Sequence, residues 1–301
     1  MSKIEQKTAN GSELVSQRYA KRSRFGEIMH SLKRNKGAMI SLCFILLLVL
    51  VMIYSFIFID FKDIMATNSA ERLLRPSLQH PFGTDEMGRD LFIRVIYGTR
   101  YSLAIGVGAV AFALIVGVIL GALAGFYGGI VETIIMRAND ILSAIPGLLL
   151  GMVIVCVIGQ SLPNLLLAVA ITAIPGFVRI TRASVLTVRG QEYIEAARSI
   201  GMSNLRIIFT QVIPNGLSPI IVNTTSMMGT VIIVAAQLSF LGFGIPVPTP
   251  EWGALVSLGR NVIRTAPYLT LFPGLFIMLT VLAFNIVGDG LRDALDPKLK
   301  R

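Results

Sequence analysis

Long uncharged apolar runs alternate with short charged segments along this chain of 301 residues. The first run, 38–59, has no charged residue, and as a helix it would be about 33 Å long, enough to cross a bilayer. The run at 141–178 is too long for one crossing and is divided by turn-forming residues at 159–164. The pattern predicts an all-α integral membrane protein with six transmembrane helices, near 38–59, 102–125, 133–158, 162–181, 215–241 and 267–290.

The distribution of Lys and Arg sets the expected orientation of these spans. With the N-terminus inside the cell, the cytoplasmic segments contain 19 Lys and Arg residues and the external loops contain 8, as the positive-inside rule requires. We therefore expect cytoplasmic N- and C-termini. The expected organisation is a cytoplasmic basic tail (1–37), a first transmembrane helix (38–59), an external loop (60–101) and a transmembrane core (102–301) that contains a cytoplasmic elbow at 189–214.

The basic tail contains nine Lys and Arg residues against three Asp and Glu. Phe25, Ile28, Met29 and Leu32 recur in it at helical spacing, which is typical of an amphipathic helix on an anionic lipid surface. A disordered tail with accidental periodicity fits the same residues equally well. Both interpretations stay open at the level of sequence.

Composition excludes several classes of protein. The mean hydropathy is +0.73 and only 15% of residues are charged, against about 25% in soluble domains. The net charge of +10 follows the expected membrane topology, so we expect contact with membrane lipid and none with nucleic acid. Cys43 and Cys156 are predicted to be free buried thiols, and the isolated His30 and His80 indicate no metal site.

Local features of the spans lead to three further expectations. Pro146 and Pro175 should kink the third and fourth spans. Arg137 and Asp140 are three residues apart on one predicted helix, so they are placed to form an ion pair. A charge network is expected at the external face among Asp85, Arg89, Asp90 and Arg94.

The elbow reads RGQEYIEAARSIGMSNLRIIFTQVIP and separates two apolar runs. Ala196 and Ala197 give one helix a face with little side-chain bulk, and Gly201 favours a left-handed helix end. Ser203 is placed to cap the next helix, and Pro214 closes the unit. The sequence predicts two short helices suited to a groove on another protein.

Three separated blocks resemble one transporter family. The spacing of Glu195, Ala196, Ala197 and Gly201 before Ile213-Pro214 is similar to the cytoplasmic loop of ABC importer permeases, with Ile213 where leucine is usual. Residues 80–103 resemble the peptide- and nickel-type members of this family. Residues 238–244, 248–253 and 284–297 resemble the closing signature of the same members, specifically of the "C"-type subunit of dipeptide and oligopeptide permeases. This sequence departs from their pattern at Ile93 and at Val247, between two prolines.

The resemblance implies a type I ABC importer permease fold in the cell inner membrane. It implies that Glu195, Ala196, Ala197 and Gly201 couple to ATPases, so we expect Ala197→Arg or Gly201→Pro to uncouple ATP hydrolysis from uptake. The implied partners are two ATP-binding subunits that hold ATP and Mg, a paralogous second permease and an external solute-binding protein. Di- or oligopeptides are the expected cargo, with nickel as the alternative.

The chain itself is predicted to be neither an ATPase nor any other enzyme. It has no phosphate-binding P-loop motif and no expected cofactor or metal. An ion-coupled secondary carrier would normally have ionisable groups at mid-membrane depth, and the centres of all six spans are uncharged. A structural membrane scaffold stays open.

One span has a polar cluster that bears on the translocation path. Asn223, Thr224 and Ser226, with Thr225 and Thr230 beside them, would supply neutral hydrogen-bonding groups to a zwitterionic cargo. Hydrogen bonding between helices is the alternative role for the same side chains.

Overall fold

The computed structural model describes Gly26, Met29 and residues 32–295, and this part of the chain is helical with no β-strand element. Most of the predicted amphipathic tail helix lies outside these residues. The helices are α1 Lys36–Phe58, α2 Phe61–Met65, α3 Leu91–Tyr127, α4 Gly129–Ala144, α5 Gly147–Ile158, α6 Leu162–Arg189, α7 Glu192–Ser199, α8 Asn204–Ile207, α9 Ile213–Asn215, α10 Leu217–Phe240, α11 Trp252–Gly259 and α12 Tyr268–Leu295. A π-helical turn, Ile208–Val212, joins α8 to α9.

Five helices of the described chain, α1, α3, α6, α10 and α12, are each long and apolar enough to cross a membrane. The third predicted span is instead a pair, α4 and α5, bent by 91° at the break between them. Pro146 causes this break, because proline lacks an N–H and disfavours helical geometry in the residue before it. Ile145 is accordingly extended, with φ −91° and ψ 126°. Pro175 lies within the continuous helix α6.

The bent pair carries the chain back across the membrane, because α3 and α6 run parallel. A Cβ placed on Gly117 would be 2.3 Å from Phe177 Cβ, and one on Gly125 would be 2.9 Å from Val185 Cβ. Residue numbers therefore rise together along both helices. Parallel neighbours need a connection that returns to the starting side, which makes α4 and α5 the third of six crossings.

The other close contacts place three parts of the chain at one end of the bundle. Ser184, near the end of α6, donates a hydrogen bond of 2.7 Å to the carbonyl of Gly216 at the start of α10. A Cβ on Gly290, near the end of α12, would lie 2.6 Å from the Ala38 Cβ in the first turn of α1. The end of α12 also lies beside the start of α10, because Asn215, Arg292 and Leu295 line one cavity. The start of α1, the elbow and the end of α12 therefore share one end, called here the elbow end.

Four details differ from expectation. Helix α3 begins at Leu91, within the predicted external loop, because the Asp90 side chain caps it by accepting from the Ile93 N–H at 3.0 Å. Cys43 and Cys156 are free, but the prediction that they are buried is wrong, since both are exposed on outward faces of their helices. His80 is not isolated, because Nδ1 lies 2.7 Å from Asp90 Oδ2. Arg137 and Asp140 form no ion pair within the described chain.

Candidate functional site

The elbow is anchored to the bundle through an apolar inner face. This face consists of Ile194, Ala197, Ile207 and Ile208, all buried. It packs in one cluster with Ala122 and Phe126 of α3 and with Val185 and Val188 of α6. Burial of apolar area here fixes the hairpin to the ends of two membrane helices, so a force on the elbow is passed to both.

The turn of the elbow has the geometry that the sequence predicts. Gly201 has φ +80°, and its N–H donates to the Arg198 carbonyl at 2.9 Å. The Met202 N–H donates to the Ala197 carbonyl at 3.1 Å, which completes a Schellman motif. Ser203 occupies the N-cap position of α8, although its side chain makes no capping hydrogen bond.

The elbow also presents an outer face to solvent. It consists of Tyr193, Ala196, Ile200, Leu205 and Phe209, all exposed, with Ile200 at 78%. Glu195 is exposed beside them. Of the predicted coupling residues, Ala196 therefore lies on the outer face, whereas Ala197 is 7% exposed and belongs to the inner face. Because Ala197 is buried, Ala197→Arg would disrupt the packing beneath the elbow. A loss of uptake in this variant would therefore not show that docking is lost.

Two arginines near the end of α6 connect this helix to its neighbours at the elbow end. Arg189, the last residue of α6, donates to the carbonyl of Gly125 at 2.7 Å. Arg182 donates through Nε to Glu132 Oε1 of α4 at 2.7 Å. Sequence reasoning missed the second contact, since only the parallel packing of α3 and α6 brings these two residues together. The bent pair is thereby joined to α6, the helix that leads into the elbow, by an ion pair.

The residues of α10 that were predicted to line the translocation path differ in whether their side chains are hydrogen-bonded. The Thr224 hydroxyl donates to the Ile220 carbonyl at 2.8 Å, and that of Ser226 donates to the Val222 carbonyl at 3.4 Å. Ser226 also lies near Gly288, since a Cβ placed there would be 3.3 Å from Ser226 Oγ. Asn223 differs, because its Nδ2 is buried and donates to no protein acceptor in the described chain.

A cavity of about 500 Å³ lies beside the elbow, between α6, α10 and α12. It is called the elbow-side cavity and is lined by Ile180, Asn215, Ser218, Pro219, Val222, Asn223, Arg292 and Leu295. Asn223 is the one predicted path residue among them. The lining includes one cation, Arg292, and no carboxylate.

The opposite end of the bundle contains three of the four residues of the predicted charge network, Asp85, Arg89 and Arg94, whereas Asp90 contacts His80 instead. Asp85 Oδ2 accepts from Arg89 Nε at 2.7 Å and from Arg94 Nη1 at 2.5 Å. Glu251 is buried and caps α11 by accepting from the Gly253 N–H at 2.9 Å and the Ala254 N–H at 3.0 Å. Desolvation by burial raises the pKa of the Glu251 carboxyl. The Ser102 hydroxyl of α3 donates to Glu251 Oε1 at 3.2 Å and links the start of α11 to α3. The role of these contacts in the fold is structural.

A helical bundle with six crossings and a helical elbow at one end defines a multi-pass membrane protein of the permease class. Residues 117–301 match the family described as binding-protein-dependent transport system inner membrane component. Residues 23–76 match the N-terminal TM domain of oligopeptide transport permease C. The chain therefore belongs to the binding-protein-dependent transport family, and within it to the ABC importer permeases of the peptide type, as its sequence motifs predict.

Curated relatives support the same assignment along nearly the whole chain. The dipeptide transport system permease protein DppC of Alkalihalophilus pseudofirmus is 47% identical over 282 residues, covering 94% of this chain and 92% of that protein. The glutathione transport system permease protein GsiD of Escherichia coli is 44% identical over 286 residues, covering 93% and 92%. Among solved structures, the inward-facing MetNI methionine ABC transporter has a similar fold, with a TM-score of 0.56 at 18% identity, covering 68% of this chain and 97% of that one.

Proposed function

We propose that this chain is one permease subunit of an ABC importer that moves di- or oligopeptides into the cell. The observation that carries the proposal is the elbow, whose apolar outer face is exposed while its inner face is fixed to α3 and α6. The peptide cargo is proposed because the similar proteins are named as dipeptide and glutathione permeases.

The energy for transport comes from partner subunits in this proposal. Two ATP-binding subunits hold ATP and Mg, and one docks on the outer face of the elbow through Tyr193, Ala196 and Ile200. A paralogous permease completes the membrane pore, and an external solute-binding protein delivers the peptide. The elbow and both chain termini face the cytoplasm, which agrees with the excess of Lys and Arg at the elbow end.

Coupling follows from how the elbow is held. When the ATP-binding subunits close, they displace the elbow as a rigid body. The inner face transmits this displacement to α3 and α6, and the ion pair between Arg182 and Glu132 transmits it to the bent pair. The six crossings then change from access on the inside to access on the outside.

The test is peptide uptake by the complete importer reconstituted in proteoliposomes with its solute-binding protein. Ala196→Arg adds a long charged side chain to the outer face and should abolish both uptake and the ATPase stimulation caused by loaded binding protein. Ala196→Ser, of nearly equal volume, should retain both. Full uptake by the Ala196→Arg complex, with the chain inserted at normal levels, would contradict the docking role.

A further inference from the structure

We propose that the loop before α3 carries a docking surface for the external solute-binding protein, with Leu78 as its apolar anchor and Arg75 beside it to attract an acidic surface. This surface, residues 75–82, is called the external tip. The inference rests on the proposed function and assigns the contact made by one of its partners. The partner surface that fits is an apolar pocket with carboxylates at its rim.

The external tip stands on a hydrogen-bonded stem. The Thr84 N–H donates to the Leu74 carbonyl at 3.1 Å. The Leu73 N–H donates to the Asp85 carbonyl, also at 3.1 Å. The hydroxyl of Tyr268, the first residue of α12, donates to the Thr84 carbonyl at 3.3 Å. The stem is thereby fixed to the end of the bundle opposite the elbow.

A turn within the external tip fixes the position of Leu78. The Ser77 N–H donates to the His80 carbonyl at 2.9 Å, and the His80 N–H donates to Ser77 Oγ at 3.1 Å. His80 Nδ1 lies 2.7 Å from Asp90 Oδ2, so the turn is also tied to the start of α3. A surface that is ordered before binding loses less conformational entropy when it binds.

The external tip presents apolar side chains to solvent. Leu78 is fully exposed, and the next most exposed large apolar side chains of the described chain are Ile130 and Val157 at 79%. Those two lie on α4 and α5, where lipid can cover them, whereas Leu78 lies in a loop between polar residues. Pro76 and Pro81 are exposed in the same tip. Isolated exposed apolar residues are common, but a patch of them marks an interaction site.

The charge of this segment favours an acidic partner. Residues 72–84 contain Arg72 and Arg75 and no Asp or Glu. Both arginines are exposed, and the ion pairs of the described chain include neither of them. Cations beside an apolar anchor steer an acidic surface toward it and raise the association rate. In the proposed orientation the tip faces outside the cell, where the solute-binding protein is the soluble partner.

Binding of the purified solute-binding protein to the complete permease–ATPase complex in nanodiscs tests the anchor. Leu78→Ser should raise the dissociation constant about tenfold or more, because the contact loses a buried apolar side chain. Met87→Ser is the matched control, since Met87 is 56% exposed in the same loop beyond the stem. It should leave binding unchanged. An unchanged dissociation constant in Leu78→Ser, or an equal rise in Met87→Ser, would overturn the inference.

Variants of the cations test the attraction of an acidic surface. Arg75→Gln combined with Arg72→Gln should slow association about threefold or more at low salt, with a smaller difference at high salt. Arg137→Gln removes a charge from exposed α4 and should leave the association rate unchanged. An association rate that does not differ between the two proteins would contradict the acidic character assigned to the partner.

A thiol in the external tip distinguishes rival occupants. Leu78→Cys, in an otherwise cysteine-free complex with Cys43→Ser and Cys156→Ser, gives one reporter for a membrane-impermeant maleimide. It should react in the complex alone and be protected by the solute-binding protein. Protection without that protein would mean that lipid or the second permease covers the tip, and the inference would fail.

Uptake separates failure of the inference from failure of the proposed function. If the Leu78→Ser complex binds the solute-binding protein and imports peptide like the unmodified complex, the inference fails and the proposed function stands. Absence of peptide uptake by the unmodified complex with its solute-binding protein would instead contradict the proposed function itself.

Discussion

The guanidinium of Arg189 donates a hydrogen bond of 2.7 Å to the backbone carbonyl of Gly125. Arg189 is the last residue of α6, and Gly125 lies in the last turn of α3. The contact satisfies a carbonyl that has no partner within its own helix end. It also places a positive charge at the negative end of the α3 dipole. The elbow follows directly, so this bond fixes its starting point.

Removal of the Arg189 contact should weaken coupling. A hydrogen bond from a charged group contributes about 1.5–3 kcal/mol, so Arg189→Gln should weaken the attachment of the elbow to α3, which then depends on the inner face alone. We expect the number of peptides imported per ATP hydrolysed to fall about threefold or more, while ATP hydrolysis continues. Uptake and phosphate release are measured together in proteoliposomes. An unchanged ratio in Arg189→Gln would show that the bond has no part in coupling.

The role of the ion pair between Arg182 and Glu132 in coupling can be tested by exchanging the two charges. Each residue is partly buried, at 32% and 25% side-chain exposure. Arg182→Glu and Glu132→Arg should each reduce uptake severalfold, because each places two like charges side by side. The double exchange should restore much of the activity, which a double-mutant cycle quantifies. Additive losses in the double variant would mean that the two side chains act independently.

The contact between α3 and α6 should tolerate no side chain at Gly121. A Cβ there would lie 2.6 Å from the Val178 carbonyl oxygen, so Gly121→Ala must separate the helices. We expect it to destabilise the protein by about 1–3 kcal/mol, seen as a lower melting temperature of the purified complex. Gly274→Ala in α12 is the matched control, since nothing lies within 4 Å of its added Cβ. Equal melting temperatures for the two variants would contradict the packing described.

Glu251 should make stability depend on pH. Its pKa is raised chiefly by burial, against the hydrogen bonds from Gly253 and Ala254. A carboxyl with a raised pKa stabilises the fold fully below its ordinary pKa and loses that contribution as the pH rises through the raised value. The melting temperature should therefore fall as the pH rises above the ordinary pKa of about 4.5, and Glu251→Gln should reduce the fall. An identical fall in both proteins would contradict this assignment.

Apolar periodicity and the charge distribution predict the number of crossings and their approximate positions. They do so because a bilayer fixes the length of each span and demands satisfied backbone groups. Gly201 was also predictable, since only a left-handed residue completes a Schellman turn and glycine has no Cβ penalty there. The motifs of the elbow and of the external loop identified the family.

Features that depend on packing between helices were not predictable. The sequence predicts a kink at both prolines, but it does not distinguish the 91° bend at Pro146 from the continuous helix that contains Pro175. Ala197 faces the bundle because α7 packs against Phe126 of α3. The spacing of residues within α7 does not reveal which face of the helix is packed in this way. Arg182 and Glu132 are 50 residues apart and meet only through the parallel arrangement of α3 and α6.

The most direct test of the central proposal is the accessibility of the elbow to a membrane-impermeant maleimide. The thiol introduced by Ile200→Cys, with Cys43 and Cys156 replaced by serine, reports on the outer face. It should react in inside-out vesicles only after the ATP-binding subunits are stripped, and it should not react in right-side-out vesicles. Reaction from the external side, or equal reaction with and without the ATP-binding subunits, would contradict the account.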